Sequence, residues 1–155
     1  MPDIVNKCVV ITVLAGGLLA SPAARAGDVY WNDGDGHSGT NVAASWSQLQ
    51  SAITNAEFGP GTVGTVKLSG DFQRAKGDTA GNLKVVSGWL AISGGWSADF
   101  ASVSGRSILD VNGDATANNP YRVLNILGAN VTVSNCWVTG GYATDAQAGG
   151  IAIGQ

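Results

Sequence analysis

One five-residue pattern recurs along this 155-residue chain: apolar, any, apolar, small polar, glycine. It stands at Val66-Lys67-Leu68-Ser69-Gly70, Leu90-Ala91-Ile92-Ser93-Gly94, Leu109-Asp110-Val111-Asn112-Gly113 and Cys136-Trp137-Val138-Thr139-Gly140. The mean spacing is roughly 23 residues, within the range of stacked repeat architectures. Alternation of apolar and other positions marks a strand with one buried face. The closing glycine marks a turn in which positive φ is needed. Two copies run into a second glycine, Gly95 and Gly141, and the lead-in Lys84-Val85-Val86-Ser87 aligns with Asn130-Val131-Thr132-Val133. Short strands without helices between them bury their apolar side chains by stacking on the neighbouring turn of chain. A leucine-rich repeat would place Leu and Asn at fixed positions, which Val, Ile and Gly occupy here. The repeat therefore predicts an all-β chain, a right-handed parallel β-helix (solenoid) over residues 63–155.

What precedes the repeat reads as two further segments. Residues 1–26 have the layout of a signal peptide: Lys7 near the start, the apolar run Cys8–Ala20, the break Ser21-Pro22, and Ala24-Arg25-Ala26 before Gly27. That apolar run is shorter than the roughly 20 residues needed to span a bilayer, which favours a signal cleaved before Gly27, and no second long apolar run follows, so the mature part is expected to hold no membrane span. Residues 27–62 read as an N-terminal cap with a helix over about 45–58. Ser45 and Gln48 form a capping box, Trp46, Leu49, Ile53 and Ala56 make one apolar stripe, and Gly59-Pro60-Gly61 ends it. Such a helix covers the apolar end and unpaired edges of a solenoid, which makes Trp46 a packing residue. Gly149-Gly150-Ile151 begins a strand close to Gln155, so the chain reads as an N-terminal segment whose last coil is uncapped and open to end-to-end association.

The order Tyr30-Trp31-Asn32 to Gly39-Thr40, Trp46-Ser47-Gln48-Leu49-Gln50-Ser51-Ala52-Ile53, Val66-Lys67-Leu68-Ser69-Gly70 resembles the opening of many bacterial right-handed parallel β-helix proteins. Ile92-Ser93-Gly94-Gly95-Trp96 to Asp99-Phe100, Ser107-Ile108-Leu109-Asp110, Arg122-Val123-Leu124 and Val138-Thr139-Gly140-Gly141 with Gly149-Gly150-Ile151 are similar to the polymorphic outer-membrane protein and autotransporter-passenger type. The resemblance implies an exported cell-surface or secreted protein, adhesin-like or structural, located at the outer membrane surface or outside the cell. The same architecture also carries polysaccharide lyases and glycoside hydrolases, so the alternative is the N-terminal part of such an enzyme, with catalytic coils beyond residue 155.

Charge and chemistry narrow the functional classes. After residue 26 there are six basic residues (Lys67, Arg74, Lys76, Lys84, Arg106, Arg122) against ten acidic ones, scattered along the chain. With no basic stripe to follow a phosphate backbone, nucleic acid is not expected as a partner. Cys136 has no intramolecular cysteine partner after residue 26 and reads as a buried, unreactive thiol. The repeat puts Lys67, Ala91, Asp110 and Trp137 in one outward column beside a polar column of Ser69, Ser93, Asn112 and Thr139. Glycosidic hydrolysis needs two carboxyl groups close together, and this column holds one, Asp110, with Asp99 and Asp114 in flanking turns. No catalytic residue is assigned, and the protein leans away from being an enzyme. Asn32-Asp33-Gly34-Asp35-Gly36 lacks the distal Glu and ligand spacing of a calcium loop, and His37 beside it has no nucleophile assigned; no cofactor and no metal site is expected. Trp137 offers a flat ring to a sugar, with Trp96 and Tyr142 in adjacent turns, so these three are the candidate glycan contacts and carbohydrate or cell-surface ligands the candidate partners. Trp89 aligns with a turn and reads as a packing ring.

Overall fold

A computed structural model of the chain describes residues 27–57, 61–75, 81–111, 122–142 and 150–154. Residues 1–26, where a signal peptide is expected, and Phe58, Gly59, Pro60, Asn112, Gly113, Asp114 and Gly149 lie outside these residues. Eleven strands and one helix follow in order: β1 Gly27–Asn32, β2 Ser38–Ala44, α1 Trp46–Ala56, β3 Val63–Ser69, β4 Phe72–Gln73, β5 Leu83–Val85, β6 Trp89–Ser93, β7 Ser107–Asp110, β8 Leu124–Leu127, β9 Asn130–Ser134, β10 Cys136–Thr139 and β11 Ile151–Gly154.

The parallel β-helix expected from the repeat is corrected by this arrangement. The strands form three small sheets, a mixed sheet in the order β2-β1-β3-β6-β9 and two three-stranded parallel sheets, β10-β7-β4 and β11-β8-β5. No closed solenoid is formed among the described residues. In the large sheet β1 runs antiparallel to both β2 and β3, while β3, β6 and β9 are parallel. The sequence repeat misleads because similar motifs serve different sheets. Its copies at Val66 and Leu90 form β3 and β6 of the large sheet, whereas those at Leu109 and Cys136 contribute to β7 and β10 of another. Nor is there a constant period. Val63 pairs with Trp89, Trp89 with Asn130, Phe72 with Leu109 and Cys136 with Ser107, and the length of chain between partners differs in every case. The expected alignment of Lys84 with Asn130 fails likewise, since Lys84 lies beside Asn125 and Asn130 beside Trp89.

Local rules survive where the long-range period does not. Side chains alternate along β3, with Gly64, Val66 and Leu68 buried and Thr65, Lys67 and Ser69 outward. Gly70 and Gly140, which end β3 and β10, have φ of 80° and 77°, a region that costs an L-side chain steric strain. One core joins the sheets and includes Leu68, Ile92 and Val111 with Val138 packed against it. Fully burying a side chain such as Leu68 is worth about 1.5–3 kcal/mol. Leu68 and Ile92 are nonetheless not level with each other, because Ile92 pairs with Val66.

Helix α1 begins at the capping box: Ser45 Oγ accepts the Gln48 N–H at 3.3 Å, and Gln48 Oε1 accepts the Ser45 N–H at 2.7 Å. Trp46, Leu49, Ala52, Ile53 and Ala56 turn into the core. Its polar side serves the edge of a sheet. Gln50 Nε2 donates to the Lys84 carbonyl at 3.0 Å while Gln50 Oε1 accepts the Lys84 N–H at 2.6 Å, and Glu57 Oε1 accepts the Val86 N–H at 2.9 Å. Since β5 is an edge strand, a side-chain amide here takes the place of a neighbouring backbone amide and satisfies groups that would otherwise form an open template.

Candidate glycan-contact surface

The sequence places Lys67, Ala91, Asp110 and Trp137 in one column; the structure distributes them over four rows on two sheets. Lys67 is level with Tyr30 and Ser93, and Ala91 with Thr65 and Thr132. Asp110 is level with Gln73 and Thr139, and Trp137 with Ile108. The polar column is divided too, with Ser69 beside Asp28 and Thr139 beside Asp110.

Trp137 sits in β10 at the edge of its sheet, half-buried next to Ile108 of β7. The Arg106 guanidinium carbon lies 4.9 Å from the centre of its ring, a cation–π distance. Two residues further along the same faces, Thr139, Asp110 and Gln73 form a cross-strand polar row in which Gln73 Nε2 donates to Asp110 Oδ2 at 2.9 Å. Ring, cation, amide, hydroxyl and carboxylate thus occupy one outward strip of this sheet.

Trp96 occupies a different setting. Its backbone N–H donates to the Leu68 carbonyl at 3.0 Å, and it bridges antiparallel to Val103, so residues 96–103 fold back as a short hairpin. Lys67 Nζ stands 3.8 Å from the Trp96 ring centre and 5.5 Å from that of Tyr30, and it donates to the Phe100 carbonyl at 3.5 Å. Tyr30 and Phe100 are tilted rings 5.9 Å apart. At the tip, Asp99 accepts from the Ser97 hydroxyl and the Ala101 N–H, in that order of influence, and these hold its carboxyl below the ordinary range. Lys67 therefore fastens the hairpin to the large sheet and occupies one face of Trp96. Tyr142 lies past the end of β10 and is 44% exposed. The three candidate aromatics do not share a face: Trp137 lies on the β10-β7-β4 sheet and Trp96 over the large one. Trp89, read as a packing ring at a turn, opens β6 and is 44% exposed, level with Val63 and Asn130.

The acidic loop is closed on itself. Asp33 is 7% exposed; its Oδ1 accepts the N–H groups of Asp35 and His37, and its Oδ2 lies 2.6 Å from His37 Nδ1. Burial works against the Asp33 charge, but the Asp35 N–H and the His37 ring and N–H together outweigh it and hold the carboxyl below its ordinary value. These oxygens order the turn between β1 and β2. Among the described residues no group of three or more His, Cys, Asp and Glu side chains is placed to hold a metal ion. Cys136 is buried, and desolvation pushes its thiol up to about 12. A cleft of about 410 Å³ between α1 and β5 is crossed by the hydrogen bonds of Gln50 to the Lys84 backbone and of Trp46 Nε1 to the Gly81 carbonyl. No helix of the described residues is long and apolar enough to cross a membrane.

Sequence reasoning missed the two cations on tryptophan rings, Lys67 on Trp96 and Arg106 on Trp137. The members of each pair are far apart in the chain, and only the sheet register brings them together. No protein-family model, no curated protein and no solved structure matches this chain.

Proposed function

We propose that this is an exported, non-catalytic protein of the cell surface or its surroundings, adhesin-like in role, which touches glycans through the face that bears Trp137. The observation that carries the reading is the strip on β10 and β7: a half-buried tryptophan beside Ile108, with Thr139, Asp110 and Gln73 in the next outward row. A sugar ring has an apolar C–H face suited to an aromatic plane and hydroxyls suited to an amide and a carboxylate, and strands hold both kinds of group at fixed spacing. The same strip argues against hydrolysis. Its carboxylates are engaged by the protein itself, Asp110 by the Gln73 amide and Asp71, beside Ile108, by the Ile108 N–H, whereas glycoside cleavage takes a proton-donating acid and a second carboxylate at roughly 5–10 Å. Binding of the protein and its Trp137→Ala variant to an array of glycans tests the reading. Selective binding that the substitution abolishes is expected, and indistinguishable binding by the two proteins would remove Trp137 from it.

A further inference from the structure

We infer that the glycan taken by the Trp137 face is acidic, a chain containing uronic acid residues; this rests on the glycan reading above and adds the class of sugar. Arg106 is solvent-exposed, and its guanidinium lies over the Trp137 ring. No carboxylate of the described residues is seen in an ion pair with it. A ring face attracts a cation through its quadrupole without neutralising it, so Trp137 holds the guanidinium in place and leaves its charge for another partner. Guanidinium matches carboxylate with two parallel N–H···O bonds.

A uronic acid carries both complements in one molecule, a C–H face for the indole and a carboxylate for the fork beside it. The strip also has a direction. Arg106 lies at one end, and the Asp110, Thr139 and Gln73 row at the other. Residues 106 to 110 span about 13 Å at the strand rise. The acidic group therefore binds at the Arg106 end, away from Asp71 beside Ile108 and from the Asp110 row, where a second carboxylate would be repelled. A neutral sugar uses the ring and the polar row and leaves Arg106 unused.

The test is calorimetric titration of the full chain with oligomers of glucuronic acid and with the same oligomers as methyl esters, which keep the ring faces and remove the charge. The acid form is expected to bind about tenfold tighter than the ester, the value of one charge-assisted hydrogen-bonded contact. Added salt should weaken the acid form alone. Arg106→Gln should bring the acid down to the ester's affinity with the thermal melt unchanged, and Arg106→Lys should restore part of the difference. Equal affinity for acid and ester, with no salt dependence, would overturn the acidic assignment while the glycan reading stands. Failure of every glycan to bind, in this titration and on the array, would overturn both.

Discussion

Gly64 is the position at which one methyl group should do most damage. It lies in β3 where that strand passes under the end of α1, and a Cβ built on it would meet the Ala56 carbonyl oxygen at 1.6 Å and its carbon at 2.7 Å. Both neighbours are backbone, so no side chain can swing aside. Contacts under 3.0 Å are essentially never shown by real Cβ atoms, so strand and helix end must move apart here. Ala56 is buried, and Glu57, which follows it, accepts the Val86 N–H. The displacement therefore strains a close-packed region and loosens the cover over the β5 edge. Overpacking a well-filled site costs about 1–3 kcal/mol, and a clash of backbone with backbone belongs at the upper end, about 3 kcal/mol. Gly105→Ala is the control, because a Cβ there meets nothing within 4 Å; reduced freedom of the unfolded chain should leave it neutral or about 0.5 kcal/mol more stable. Equilibrium urea unfolding of the three proteins reads the difference as a fall in midpoint at constant slope. A Gly64→Ala protein within about 0.5 kcal/mol of the parent, the range of an ordinary surface substitution, would refute the close approach of α1 to β3.

Gln50→Ala removes two hydrogen bonds to the Lys84 backbone and should cost about 1–3 kcal/mol in the same assay, whereas Gln50→Glu keeps the acceptor for the Lys84 N–H and should cost less; equal losses would mean that the amide does not act as a substitute strand. Lys67→Met retains the apolar stem and loses the charge between Tyr30 and Trp96, with an expected cost of about 0.5–2 kcal/mol and faster amide exchange in residues 96–103; unchanged exchange would show that the hairpin holds without it. The Asp33 carboxyl titrates lower in the folded chain than its ordinary 3.8, so its contribution is complete above that value and disappears as pH falls through the folded one. Asp33→Asn should therefore lower the melting temperature at neutral pH and match the parent in strong acid, and a gap that stays constant would contradict the assignment. With its thiol pushed up to about 12, Cys136 should resist alkylation at mildly alkaline pH in the folded protein and react once urea is added; rapid reaction in the native state would show that it is not buried.

The parts of this molecule legible in its sequence are those fixed by near neighbours. The capping box of Ser45 and Gln48 sits within one helical turn, and both hydrogen bonds form. The alternation in Val66-Lys67-Leu68 separates buried from outward side chains through the geometry of a single strand. The partners of those strands were not legible. Motifs of equal appearance at Leu90 and Leu109 enter different sheets, because the five-residue pattern specifies that one face is buried and says nothing of which strand lies beside it. The antiparallel β1–β2 hairpin against β3 is joined by the self-closed Asn32–His37 turn, a segment whose sequence already lacks the ligand spacing of a calcium loop. An aligned column of Lys67, Ala91, Asp110 and Trp137 required a constant period, and connections of unequal length between paired strands remove it.

That same variability is what makes the Trp137 strip. Had the motif copies been stacked in register, Trp137 would stand over Asp110 and beside alanine and lysine. The actual register puts it next to Ile108, within reach of Arg106, and moves Asp110 one row away to meet Gln73 and Thr139. An apolar neighbour supports the indole, the cation sits on its face, and Asp110 lies one outward row further from the guanidinium. Trp96 shows what happens without this separation of parts. There the cation is taken up by the Phe100 carbonyl and two rings, and the result is a fastened hairpin. Two tryptophans thus acquire different roles from the surroundings of their cations, and of those two cations it is Arg106 that is exposed to meet a ligand from solvent.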